Sequence, residues 1–212
     1  MVKYKGIIFD LDGVICHTDH YHYLAWKEVA DKLGIYFDPE INNRLRGVSR
    51  KDSFEIILEG YSGPKLTEEK KLHYIEWKNN KYKQLLLHMS PEDLSPEVKD
   101  TLDQLRSRKI KLAIGSSSKN AKMILKRLGL ENYFDGVSDG TNITNSKPDP
   151  EVFLKASQFI GVHPLECLVV EDAKAGIEAA IAAKMDSAAI GDGTTCGLAT
   201  YNLTSFSDLL EI

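Results

Sequence analysis

The run Ile7-Ile8-Phe9 closes on Asp10 and Asp12, two carboxylates one residue apart, and then on Gly13. An unbroken apolar run without polar alternation suits a strand covered on both faces, as in a parallel sheet. Its end then holds Asp10 and Asp12 at the sheet rim. Two acids so close repel each other unless a cation or a shared proton intervenes. The pair therefore suggests a hard metal ion, acid/base chemistry, or both. A plain turn after a strand uses the same residue types, so these letters leave both readings open.

Parallel strands need crossover connections, and the rest of the chain has the matching rhythm. Strands are expected at Lys111–Gly115, around Asp135–Val137, at Leu168–Val170 and at Ser187–Ile190. Helices are expected from Pro96 through Leu105, from Asn120 to Leu128, from Glu151 to Ile160 and from Ala173 to Ala183. Between the first strand and this series lies a stretch with no convincing strand. Thr18 is placed to N-cap a helix carrying Trp26, Val29, Ala30 and Leu33 on one face, and Gly34 to end it. Ser49-x-x-Asp52 has the spacing of a helix start, and a charged helical segment runs from Thr67 to about His88.

The expected fold class is α/β: a Rossmann-like parallel-sheet core with helices on both faces and an inserted helical cap domain. The core is residues 1–16 and 90–212, and the cap is residues 17–89. The crossings near Ile15–Thr18 and His88–Pro91 could serve as hinges.

Composition narrows the partners. Of 212 residues, 42% are hydrophobic and the net charge is −4, an ordinary globular balance that points to neither a nucleic-acid nor a membrane surface as main partner. No apolar run approaches membrane length and no secretion signal is read at the start. Cys16, Cys167 and Cys196 lack a paired spacing, which suits free thiols in a reducing cytoplasm. With no exposed apolar stripe evident, a monomer is expected.

Ligands of an open parallel sheet bind at the carboxyl ends of its strands. The residues after each strand are therefore informative: Asp10 and Asp12; Ser116-Ser117-Ser118-Lys119-Asn120; the Ser146-Lys147-Pro148 loop; and Glu171-Asp172. A Mg²⁺ ion suits Asp10, Asp172 and a backbone carbonyl, with water completing its shell. Ser116, Lys147 and backbone N–H groups suit phosphate oxygens. A carboxylate facing a clamped phosphate can attack it in line, and Asp12 is placed to exchange the proton. Each part alone has a structural reading: helix caps for the serines, a solvated loop lysine, an acidic helix start. Their succession at consecutive strand ends favours the chemical one.

The ordered set Asp10-Leu11-Asp12-Gly13, Ser116, Lys147-Pro148 and Glu171-Asp172 resembles the four motifs of the haloacid dehalogenase superfamily of phosphotransferases, over nearly the whole chain. The resemblance implies that Asp10 is a nucleophile forming an aspartyl phosphate and Asp12 the general acid/base. It implies Mg²⁺ held by Asp10, the backbone carbonyl of Asp12 and Asp172, with Glu171 close by. Ser116 and Lys147 would bind the phosphoryl group.

Within the superfamily, the hexose-phosphate mutases are similar in three further stretches. These are Asp10 through Ile15, continuing to Thr18 and then Tyr21-His22 with Ala25-Trp26; Arg46-Gly47-Val48-Ser49-Arg50-Lys51-Asp52-Ser53; and Ser116 through Asn120. That similarity implies a cap loop of Arg46, Gly47, Val48, Ser49 and Arg50 reaching substrate, with Arg50 on the distal phosphate. Ser118, Lys119 and Asn120 would meet the sugar phosphate, His22 and Lys78 would lie near the site, and Thr18 would be a hinge.

The implied activity interconverts the 1- and 6-phosphates of β-D-glucose, with glucose 1,6-bisphosphate as intermediate and activator. A Mg-dependent sugar-phosphate phosphatase and a non-catalytic sugar-phosphate binding protein are the alternatives. Two departures stand out: Arg46 where the mutases carry lysine, and Cys16-His17 in place of a Thr/Ser-Asp pair. His17, His20 and His22 with Cys16 lack the paired spacing of a zinc site.

Overall fold

The computed structural model describes residues 3–45 and 48–212. It divides into two compact units, Met1–His17 with Met89–Ile212, and Thr18–His88.

In the first unit, β1 (Gly6–Phe9) is flanked by β2 (Lys111–Gly115) and β4 (Cys167–Glu171). β3 (Gly136–Ser138) pairs outside β2, and β5 (Asp186–Ala189) and β6 (Tyr201–Asn202) extend the other side. The described strands give one sheet in the order β3-β2-β1-β4-β5-β6, every pairing parallel. The register sets Phe9 opposite Ile114 and Val170, so the residues after all three strands emerge at one edge. Asp10 is anchored there by its N–H donating to the Val170 carbonyl at 2.9 Å.

The period-two alternation of β1 splits its side chains between two cores. Ile8 joins Ala113 and Val169 under α7 (Glu151–Ile160) and α8 (Lys174–Ala182), packed by Phe153, Ala156 and Ala180. Phe9 faces the other way and stacks on Phe206 with ring centroids 5.7 Å apart. That second face also takes α5 (Pro96–Ser107), whose Val98, Leu102 and Leu105 are buried. Ile8 and Phe9 are fully buried, each contributing about 1.5–3 kcal/mol of transfer free energy. A shorter helix, α6 (Ala121–Arg127), comes after β2.

The second unit is helical. It holds α1 (Asp19–Leu33), α2 (Pro39–Asn43), α3 (Arg50–Leu58) and α4 (Glu68–Leu86), with α1 packed along α4. Its core gathers Trp26, Val29, Ala30, Phe37, Phe54 and Ile57. Asp38, Ser49 and Thr67 each accept a backbone N–H at the start of a helix, and Gly34 ends α1 in the left-handed region at φ 68°. Thr18 precedes α1 as expected, but its hydroxyl makes no capping bond to that helix. Among the described residues no helix is long and apolar enough to cross a membrane.

Candidate active site

Asp10 stands one residue past β1 and is largely buried, and the chain then folds back tightly. The N–H groups of Ile15 and Cys16 donate to the Leu11 carbonyl, and that of Gly13 donates to Cys16 at 2.7 Å. Gly13 makes the turn at φ 93°, a conformation L side chains rarely adopt. A Cβ at Gly13 would lie 2.1 Å from Asp172 Oδ2. The missing side chain is thus what lets the Asp172 carboxylate lie against the turn between Asp12 and Val14. Cys16 is buried beneath this turn. Burial, reinforced by Asp12 and Asp10, pushes its thiol well above the usual range, so it stays protonated and inert.

Lys147 comes from the loop before α7. Its ammonium is buried and bonds both Asp10 Oδ1 and, at 2.5 Å, Glu171 Oε1. Burial works against that charge, but Asp10 and Glu171 outweigh it and raise Lys147 above the ordinary lysine range. Glu171 ends β4, is 1% exposed, and has its carboxyl pushed upward by burial against the pull of Lys147. Its second oxygen accepts the N–H groups of Asp172 and Ala173 at 3.0 and 3.1 Å. Space for it comes from Gly176 on α8, where a Cβ would sit 1.9 Å from the Glu171 carboxyl carbon.

The loop after β2 forms the next wall. Ser116 and Asn120 are buried, Ser117 and Ser118 half-buried, and Lys119 exposed. Ser116 N–H donates to Ser138, and Ser118 N–H donates back to Ser116 Oγ at 3.1 Å. The Asn120 N–H donates to Ser118 Oγ at 3.2 Å, but the Asn120 side chain does not cap α6. The serine run is therefore a self-bonded loop rather than a simple helix cap.

The helical unit contains its own cationic group. Lys78 on α4 is 1% exposed, its Nζ 2.8 Å from His22 Nδ1 on α1. The Trp26 and Tyr82 rings flank the ammonium at 5.0 and 4.7 Å. Burial, then Lys78 and Arg50, hold His22 well below the usual histidine range, so its ring is neutral. Arg50 begins α3, half-buried, with burial lowering its pKa, and Ser49 caps the same helix. Val48 is exposed, and Arg46 and Gly47 lie outside the described residues.

Sequence reasoning did not reveal that Glu171 takes the lysine, nor that Trp26 and Tyr82 frame Lys78. The second had a signal: His22 and Trp26, and Lys78 and Tyr82, are each spaced i, i+4 on their helices.

A parallel α/β sheet bearing at its carboxyl edge a lysine-tethered aspartate, a serine loop and a second acid pair has the layout of an enzyme that transfers or hydrolyses phosphoryl groups. Comparison places it more closely: the model of the haloacid dehalogenase-like hydrolases matches residues 4–184, and the chain belongs to that family. A β-phosphoglucomutase of Bacillus subtilis is 42% identical over 190 residues, covering 89% of this chain and 84% of that protein. A phosphorylated carbohydrates phosphatase of Thermotoga maritima is 32% identical over 184 residues, covering 86% and 82%. The crystal structure of a β-phosphoglucomutase from Clostridium difficile superposes with a TM-score of 0.88 at 38% identity, covering 97% of this chain and 93% of that one.

Proposed function

We propose that this enzyme is a β-phosphoglucomutase, interconverting β-D-glucose 1-phosphate and β-D-glucose 6-phosphate. The observation that carries the reading is Arg50. Half-buried at the start of α3, it supplies positive charge suited to a second phosphate in the unit that does not contain Asp10, while Lys78 is buried against the neutral His22 ring. A phosphatase acting on a sugar monophosphate has one phosphate to hold, whereas a bisphosphate intermediate has two.

Asp10 is the nucleophile, its carboxylate oriented by Lys147. Attack on one phosphate of the bisphosphate forms an aspartyl phosphate and releases a sugar monophosphate. A sugar hydroxyl then takes the phosphoryl group, losing its proton to Asp12, which returns that proton to the oxygen released in the other half of the cycle. Lys147 passes from balancing two carboxylates to balancing the phosphoryl oxygens. Ser116 and the backbone N–H groups of its loop hold those oxygens, and Ser118, Lys119 and Asn120 meet the sugar phosphate. Arg50 grips the phosphate that is not being transferred, and His22, Lys78, Arg46, Gly47, Val48 and Ser49 are the further substrate-binding residues that the resemblance implies. Thr18 serves as hinge. Glucose 1,6-bisphosphate is both intermediate and activator, and the enzyme works as a cytoplasmic monomer without nucleic-acid or membrane partners.

The donor set also suits Mg²⁺. Among the described residues no three carboxylate, histidine or cysteine side chains form a closed metal cluster. The cradle at Gly13 instead sets the Asp172 carboxylate against the turn after Asp12, and oxygen donors of this kind suit a hard cation that keeps several waters. Asp10, the Asp12 carbonyl and Asp172 would hold it, with Glu171 engaged by Lys147 alongside. Its chemistry there is charge neutralisation on the phosphoryl group.

The test is incubation with β-glucose 1-phosphate, Mg²⁺ and a trace of glucose 1,6-bisphosphate, measuring glucose 6-phosphate against free phosphate. Isomerisation outpacing release is expected. Release without isomerisation overturns the mutase reading in favour of a sugar-phosphate phosphatase, the reading favoured by the similarity to the Thermotoga maritima relative.

A further inference from the structure

The opposite edge of the same sheet carries a cavity that the proposed reaction does not use. It measures about 370 Å³ and is open to solvent. Its lining comes from the residues just before β1, those leading into β2 with its first residue, and the end of α7 with the two residues after it. The floor is apolar, with Ile110 and Ile160 each 8% exposed. The walls carry Lys5, Arg108, Lys109 and Lys111, and no acidic side chain lines the cavity.

Four cations around one small cavity are unexpected in a chain with a net charge of −4. Two of them are partly answered from outside it: Lys5 pairs with Glu166 at 2.5 Å and Lys111 with Asp135 at 2.9 Å. Arg108 donates to the Leu210 carbonyl at 2.5 Å, which satisfies a donor without neutralising the charge. Lys109 is exposed and held at φ 64°, in the left-handed region uncommon for residues other than glycine. On the far wall, Gly161 at φ 67° has nothing within 4 Å of where a Cβ would stand, so the mouth is open there. The net field is positive, the floor apolar and the volume small, a combination that suits a phosphate ester with a compact organic body.

We infer that the cavity between the amino ends of β1 and β2 is a second anion site, binding a small organic phosphate at the opposite edge of the sheet from Asp10. Arg108 and Lys109 face the phosphate oxygens, and Ile110 and Ile160 take the organic portion. The inference does not depend on the mutase reading, because none of these residues belongs to the reaction edge. β1 links the two edges, since its amino end adjoins Lys5 and its carboxyl end adjoins Asp10.

The experiment is a ¹H–¹⁵N NMR titration of the full chain with Mg²⁺ present, using adenosine 5′-monophosphate as probe. Inorganic phosphate and adenosine serve as separate arms. Saturable shifts are expected at the amides of Lys5, Lys109, Ile110 and Gly161, weaker with inorganic phosphate and absent with adenosine. Lys109→Asp, at an exposed position whose backbone conformation Asp tolerates, should weaken binding about fivefold or more. Its turnover of an aryl phosphate should be unchanged. Lys109→Gly should weaken binding less than the charge reversal. Shifts that stay linear with concentration, that appear only around Asp10 and Ser116, or that persist undiminished in Lys109→Asp overturn the inference.

Discussion

Lys147 and Glu171 meet with Nζ and Oε1 2.5 Å apart, both nearly removed from solvent, while the same ammonium holds Asp10. One cation thus restrains two carboxylates that would otherwise confront each other in a low-dielectric pocket. Removing one partner of such a buried group costs about 3–5 kcal/mol, because the charges left behind are uncompensated. Lys147→Met should therefore destabilise the sheet unit by that order, and adding Glu171→Gln should recover part of it. The loss should depend on pH. Glu171 has a folded pKa raised above its ordinary 4.5. The stability tied to its protonated form is present below that value and is lost as pH rises through the raised one. Without Lys147 the shift grows, so the deficit should be larger at pH 8 than at pH 5. Urea unfolding at the two pH values measures it, and equal deficits would reject the coupling.

The turn at Gly13 makes a sharper steric prediction. Gly13→Ala forces a side chain into both a left-handed backbone and the space of the Asp172 carboxylate, 2.1 Å away. The backbone change alone costs about 1–3 kcal/mol. The displaced carboxylate should weaken Mg²⁺ binding at least about tenfold, as changes around metal ligands typically do. Isothermal calorimetry with Mg²⁺ reads the second effect independently of turnover. Unchanged Mg²⁺ affinity would show that Asp172 is no ligand.

The legibility of the site in the sequence comes from locality. In a parallel sheet every strand delivers its succeeding loop to the same edge, so Asp10, Ser116, Lys147 and Glu171 can be assigned to one rim without knowing any distance. The expected strands at Asp135–Val137 and Ser187–Ile190 are each displaced by one residue, at Gly136–Ser138 and Asp186–Ala189. β6 is silent in the sequence because two residues, Tyr201 and Asn202, carry no periodic signal. Tertiary pairing to Ala188 and Ala189 makes them a strand. Which acid binds Lys147 is equally hidden, because it depends on the space above Gly176 rather than on any residue type. Thr18 has the right chemistry for a cap and the right position, yet its hydroxyl makes no capping bond to α1.

His22 predicts how the helical unit responds to acid. Its pKa is lowered by burial, by Lys78 at 2.8 Å and by Arg50, with the Tyr82 ring packed at 4.1 Å. The unfolded chain therefore binds a proton below the ordinary value of 6.5 that the folded unit refuses. Stability is full above that value and falls as pH drops beneath it, by up to about 1.4 kcal/mol per pH unit. Hydrogen exchange of α1 and α4 amides should accelerate between about pH 6.5 and pH 5.5 beyond the intrinsic pH effect. His22→Asn should flatten that response, and Lys78→Met, which lets the folded-state pKa of His22 rise toward its ordinary value, should make it smaller. A wild-type profile indistinguishable from His22→Asn would refute the assignment.

On the proposed reading, Arg50 is the residue that should separate transfer to a sugar from transfer to water. A charge-assisted bond to phosphate is worth about 1.5–3 kcal/mol, or roughly ten- to a hundredfold in rate. Arg50→Ala should lower mutase kcat/KM by that factor, with Arg50→Lys intermediate because an ammonium lacks the two-pronged grip of a guanidinium. Hydrolysis of p-nitrophenyl phosphate, which offers no second phosphate, should change less than about threefold. The comparison cancels losses of folded enzyme, because both assays read the same preparation. Parallel losses in the two assays would assign Arg50 to the structure of α3, whose first residue it is. They would also remove the observation on which the mutase reading rests.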